Sequence, residues 1–165
     1  MDTSIVSLVL SVIAFLVSAF VFFQMKENRT AAEESVSISR PLQLQAYERL
    51  VLLCERIALP NLISRLSQPN LSAKEMQVFL VESIKQEFEY NATQQIYVSQ
   101  PAWEAVRNLR DQNLLLINSI SKSLSPDAKA SDLNRTIIEA IMQEERAALH
   151  TFTTDTVNAE AKKIM

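Results

Sequence analysis

Glycine is absent from this chain of 165 residues. Average usage of about 7% would supply roughly a dozen. Without glycine there is no P-loop, no GxGxxG dinucleotide turn and no GxSxG nucleophile elbow. Tight hairpins and glycine helix caps are missing too, which disfavours β architecture and leaves helices to end by other means. Cysteine and histidine are almost as scarce. Cys54 and His150 are each alone, so no intrachain disulfide forms and no cysteine-based metal cluster is available. A Cys54–His150 catalytic pair is formally open. Cys54 lies in LVLLCERI, however, where a small buried hydrophobe is the better reading. Excess positive charge is lacking as well. The chain has 16 Lys and Arg against 19 Asp and Glu, a net charge of -3, and setting Asp2 aside leaves the rest near -2. Phosphate binding needs a basic surface, so nucleic acid is not expected as the main partner.

What the chain does have is an uncharged start. SIVSLVLSVIAFLVSAFVFF, residues 4–23, carries no charge and no proline. A helix of twenty residues rises about 30 Å, the thickness of a bilayer's hydrocarbon core. The stretch reads as a transmembrane helix behind a tail of residues 1–3. MDT offers no basic n-region, the apolar run exceeds a typical signal-peptide core, and Phe22-Phe23-Gln24-Met25 has no small-residue cleavage site. A permanent single-pass anchor is therefore expected. Lys26, Arg29 and Arg40 follow the stretch and no basic residue precedes it. The positive-inside rule puts the C-terminal domain in the cytoplasm. Ser4, Ser7, Ser11, Ala14 and Ser18 recur at spacings of three and four. They share one helix face, a pattern that suits a helix–helix contact in the membrane as well as incidental serines on a lone anchor.

Residues 24–41 read as a juxtamembrane helical extension and linker closed by Arg40-Pro41. Residues 42–150 read as a helical domain. Tyr47, Leu50, Cys54 and Ile57 form the stripe of a helix over 42–58, widened by Val51, Leu53 and Ala58. Pro60 interrupts it, and Leu62, Ile63 and Leu66 resume it after a kink or as a short new helix. Ser72-Ala73-Lys74-Glu75 is a capping box. The helix it opens runs to about Asn91 on Met76, Phe79, Leu80, Ile84 and Phe88. QQIYVSQ, residues 94–100, breaks the helical period and alternates, so a short extended segment is expected there. Pro101 restarts a helix along Ala102, Val106, Leu109, Asn113, Leu116 and Ile120, with Trp103, Leu115 and Ile117 beside them. A turn at Ser125-Pro126-Asp127 precedes the last helix, on Leu133, Ile137, Ile141 and Ala148. Residues 151–165, rich in threonine and poor in large apolar side chains, are expected to fray. The fold class is all-α: one transmembrane helix followed by a small bundle of about four helices.

Two stretches resemble one family. EFEYNATQQIYVSQPAWEAVRNLRDQNLLLINSI, residues 87–120, and YERLVLLCERIALPNLISRL, residues 47–66, resemble an uncharacterised family of small bacterial membrane-anchored helical proteins. QQIYVS followed by AWEAV is the most specific piece. The resemblance implies an anchor plus helices at a bacterial inner membrane, and no activity, cofactor or functional residue.

Chemistry-bearing groups are few. Glu87 and Glu89 lie two apart and point to different helix faces, as a solvated surface would have them. Glu144-Glu145-Arg146 near His150 offers a proton-transfer pair at most. Tyr97 and Trp103 around Pro101 make either an aromatic platform or core packing. The N-x-[ST] triplets at Asn28, Asn70, Asn91 and Asn134 carry no weight in a cytoplasmic domain. No enzyme activity, cofactor or metal is expected. Partners are the lipid bilayer and a protein, or a second copy of the chain. The expected function is a membrane-tethered interaction or adaptor protein, an accessory subunit of an inner-membrane complex, with Gln94, Gln95, Tyr97 and Trp103 as its interaction segment. The alternative is a membrane-anchored sensor with a ligand pocket between helices.

Overall fold

A computed structural model describes residues 15, 17, 18, 20–22 and 24, and residues 39–165 except 144 and 145. For residues 143, 146 and 147 it describes the backbone alone. Backbone contacts divide the chain into two units, Met1–Pro41 and Leu42–Met165.

In the first unit the described residues between 15 and 24 are helical, and Phe15, Phe20 and Phe22 are exposed. Among the described residues no helix is long and apolar enough to cross a membrane. Most of residues 4–23 lies outside them. Of the small face, Ser18 is helical and exposed, while Ser4, Ser7, Ser11 and Ala14 lie outside the described residues. So does most of the juxtamembrane stretch.

The described part of the second unit is all-helical. Helix α1 covers 39–57, with Pro41 in its first turn. Then come α2 (Leu59–Leu66), α3 (Ala73–Tyr90), a 3-10 helix (Ala92–Ile96), α4 (Gln100–Ser123), α5 (Ala130–Gln143) and α6 (Arg146–Lys162). The anticipated stripes face one core. Leu50, Leu53, Ile57, Leu62, Met76, Leu80, Ile84, Val106, Ile117, Leu133 and Ile137 are fully buried. Each large apolar side chain taken out of water contributes about 1.5–3 kcal/mol. Leu115, expected beside the α4 stripe, is exposed instead, and so is Ala148, which lies on α6 and not on the helix of Leu133 and Ile137.

With no glycine available, side chains and tight turns do the capping. At the α3 start, Glu75 N–H donates to Ser72 Oγ (3.2 Å) and Ser72 N–H donates to Glu75 Oε2 (2.9 Å). At its end, Asn91 Nδ2 donates to Glu87 O at 2.8 Å. No described residue adopts positive φ.

Three sequence expectations are corrected. The bundle has more than about four helices, because α2 and α6 are helices in their own right. Residues 94–97 are not extended, while Ser99, the cap of α4, is (φ -68°, ψ 150°). Gln94 N–H bonds Asn91 O and Tyr97 N–H bonds Gln94 O, both at 3.0 Å. A lone extended segment would have no ladder to satisfy these groups, and a 3-10 turn satisfies them locally. The tail does not fray. Residues 151–162 continue α6, which packs on α4 and α5, with Thr153 and Val157 fully buried and Ala161 nearly so. Small and β-branched side chains let this helix sit close to α4.

The starts of α3 and α5 are joined by a reciprocal pair of hydrogen bonds. Ala73 N–H donates to Ala128 O (2.8 Å) and Ala130 N–H donates to Leu71 O (2.9 Å), forming an antiparallel bridge between Ser72 and Lys129. Adding 57 to the donor's number in the first bond and subtracting 57 from the acceptor's gives the second. The sequence repeats at the same spacing. Asn61, Ile63, Ser64, Pro69, Ala73, Glu82, Ile84, Gln86 and Glu87 recur as Asn118, Ile120, Ser121, Pro126, Ala130, Glu139, Ile141, Gln143 and Glu144. Between them lie the conservative pairs Arg65/Lys122, Asn70/Asp127, Glu75/Asp132 and Gln77/Asn134. Helices α2–α3 and the second half of α4 with α5 thus match in sequence as two copies of one helical hairpin, and their starts exchange equivalent hydrogen bonds at the bridge. Helix α6 follows them.

The copies differ in how the chain enters them. The second enters its hairpin through the unbroken α4, the first through a break between α1 and α2. Ala58 there is extended in ψ (φ -56°, ψ 122°) and Pro60 opens α2. A proline has no N–H for the carbonyl four residues back.

Candidate functional site

The break at Ala58 leaves three carbonyls without their helical donors, and three side chains take them up. Asn61 Nδ2 donates to Glu55 O (3.2 Å), Arg65 to Arg56 O (3.2 Å) and Asn113 Nδ2 to Ile57 O (2.8 Å). Asn113 comes from α4 and is buried. Around this junction lie two concavities.

The first is a groove of about 780 Å³ along α1, α2 and α3. Leu52, Leu53, Leu66, Phe79 and Tyr90 supply its apolar surface, and Arg49, Arg56, Arg65 and Glu87 its charges. Glu87 is an anchor for two arginines. Arg56 hydrogen-bonds Glu87 Oε1, and the Arg65 guanidinium lies 3.7 Å from the same oxygen. The bond to Glu87 holds Arg56 firmly in its charged form, its pKa raised above the ordinary guanidinium value. Arg49 has no counterpart acid among the described ion pairs, and Leu52 (58% exposed) and Tyr90 (76% exposed) stand open to solvent. At Tyr90 and Asn91 the groove runs in sequence into the 3-10 helix, where Ile96 is 74% exposed.

The second is a cavity of about 330 Å³ bounded by α4, α5, α6 and the helix break. Leu59, Leu109, Leu116, Ile141 and Leu149 line it, with Asn61, Gln112, Asn113, His150 and Thr151 as its polar residues. Asn113 donates to Ile57 O, while its Oδ1 accepts no hydrogen bond from the described residues. His150 Nε2 lies 3.3 Å from Glu55 Oε1 without hydrogen-bond alignment. Asn61 fixes the other Glu55 oxygen at 3.1 Å.

The sequence-derived residues fall as follows. Gln95 and Tyr97 are exposed on and just after the 3-10 helix, and Gln94 is half-buried there. Trp103 is half-buried and stacks on Phe88, ring centroids 5.0 Å apart, with the Arg110 guanidinium 4.0 Å over the same Phe88 ring. Trp103 therefore packs against the core, as the plainer of its two readings had it. Tyr47, read from the sequence only as part of the α1 stripe, also accepts a hydrogen bond from Ser99 N–H at its hydroxyl (2.8 Å) and ties α1 to the α4 cap. Cys54 is fully buried. Burial, then the neighbouring Glu55 charge, pushes its thiol up to about 12, which removes it as a nucleophile near neutrality. Glu144 and Glu145 lie outside the described residues. Among the described residues no group of three or more His, Cys, Asp or Glu could hold a metal ion.

Sequence reading missed Glu87 as the partner of Arg56, 31 residues away. The available signal was that Arg56 and Arg65 fall on either side of a proline break, facing the helix that follows.

A model of the family described as Family of unknown function (DUF7935) matches residues 2–164. No curated protein matches the chain, and no solved structure does.

Proposed function

The chain belongs to DUF7935, a family of unknown function, and from that premise we propose that it is a membrane-tethered helical interaction protein that docks an acidic, amphipathic segment of another protein. Residues 4–23 are the tether, a single transmembrane helix of the inner membrane, with the helical domain on the cytoplasmic side. Support comes from the uncharged run and its one-sided basic flank. The exposed, helical Phe15, Phe20 and Phe22 add to it, since such side chains are at home in lipid. Tethering raises the local concentration of a binding domain without any new contact.

The groove carries the docking reading. It sets exposed Leu52 and Tyr90 among three guanidinium groups and one carboxylate. Aromatic and arginine side chains are the usual anchors of interfaces. Apolar side chains of a partner would cover Leu52 and Tyr90, and its carboxylates would meet Arg49, Arg56 and Arg65. The 3-10 segment with Gln95, Ile96 and Tyr97 extends this surface.

A photo-crosslinking amino acid in place of Leu52, in the full chain in native membranes, tests it. One discrete adduct through an acidic segment is expected. Arg49→Glu, which spares the Glu87 network, should lower its yield about tenfold. Crosslinking to a second copy of the chain, or a yield indifferent to Arg49→Glu, would contradict the reading.

A further inference from the structure

We propose that the cavity at the helix break binds a small, mostly hydrocarbon molecule bearing a hydroxyl, which donates to Asn113 Oδ1. The cavity is distinct from the docking groove and the inference does not depend on it.

Three observations carry it. First, at about 330 Å³ the cavity falls within the size range of ligand sites. Seven of its twelve lining residues are apolar, four of them leucines, and Asn61, Gln112, Asn113, His150 and Thr151 are polar, a make-up that suits a molecule with a hydrocarbon body and a polar end.

Second, the cavity lies where the two hairpin copies differ. The unbroken helix of the second copy shows that the hairpin does not require a break. In the first copy the break frees three carbonyls, and Asn61, Arg65 and Asn113 are all committed to satisfying them. Ala58, Leu59, Pro60 and Asn61, the residues of the break, form one side of the cavity. The departure from the repeat and the opening are the same feature.

Third, the buried polar group in its wall has a defined polarity. Asn113 is nine-tenths buried. Its Nδ2 is held by Ile57 O, which fixes the amide orientation and leaves Oδ1 as an acceptor with no donor among the described residues. A hydroxyl completes that bond. A carboxylate cannot, since it brings a second acceptor, and it would also stand close to Glu55, whose Oε1 is 3.3 Å from His150 at the cavity edge. Burying an unpaired carboxylate is costly.

The test uses the full chain in lipid nanodiscs with labelled isoleucine methyl groups, and 1-octanol and octanoate as probes. Octanol should shift the Ile141 methyl resonance saturably and show intermolecular NOEs to it. Octanoate should bind at least about tenfold more weakly. Leu149→Trp, which fills the cavity from α6, should abolish the octanol response while leaving the other isoleucine methyls in place. If that variant does not fold, the NOEs in the unsubstituted chain decide alone. Absence of a saturable shift and of NOEs at Ile141 overturns the site, and equal binding of octanoate overturns the hydroxyl assignment.

Discussion

Single side chains do in this protein what glycine does elsewhere. Asn91 closes α3 and Asn113 caps the buried Ile57 carbonyl at the helix break. Asn113→Ala leaves that carbonyl without a partner. An orphaned buried acceptor costs about 1–3 kcal/mol, so the variant should lose about 2 kcal/mol in denaturant unfolding, whereas an exposed neighbour such as Gln112→Ala should lose almost nothing. Cys54 gives a second check. Its thiol is held neutral by burial, with its pKa raised to about 12. The raised value means the thiol favours folding below the unfolded pKa near 9, and that this contribution is lost as pH rises beyond it. At pH 8 a thiol reagent should label Cys54 slowly in the native chain and rapidly in denaturant. Rapid native labelling would mean that α1 is not packed as described. The role of Cys54 was legible from LVLLCERI. That of Asn113 was only half legible: its place on the α4 stripe was plain, but its bond spans 56 residues and needed the break in α1 to be seen first.

At the scale of elements, sequence and structure agree where periodicity is strong. The stripes of α1, α3 and α4 and the Ser72–Glu75 box appear as read. They part company at α6. Its residues Thr151 to Lys162 contain one buried large aliphatic, Val157, among threonines and alanines, too sparse for a stripe to register. Burial there rests on closeness to α4. At the far end, the Glu160 carboxyl bonds Lys163 and the α4 cap residue Ser99, which holds it below the usual carboxylate range. Val157→Ala should cost about 2 kcal/mol, as a methyl-deleting change in a full core does, measured by thermal unfolding. A fraying tail would show no change. The hairpin repeat was written in the sequence throughout. It escapes an element-by-element reading because it begins in mid-helix at Asn61 and Asn118, and because one copy is broken at Pro60 and the other is not.

At the scale of the molecule, the second unit holds α1, a helical hairpin that repeats in sequence, and α6, and its surface keeps an arginine-lined groove open. The proposed role joins that groove to a membrane through residues 4–23. Nothing within the described helices substitutes for that stretch, so the account stands or falls on it. The direct measurement is alkaline carbonate extraction of cells expressing the full chain, beside a variant carrying Val17→Lys and Phe20→Lys. A lysine at the centre of a span costs about 2.5–3.5 kcal/mol of insertion free energy, and the two in its C-terminal half together cost less than twice that. The full chain should stay in the carbonate-resistant membrane pellet and the lysine variant should move to the supernatant. A full chain released by carbonate, or partitioning unchanged by the two lysines, would contradict the account.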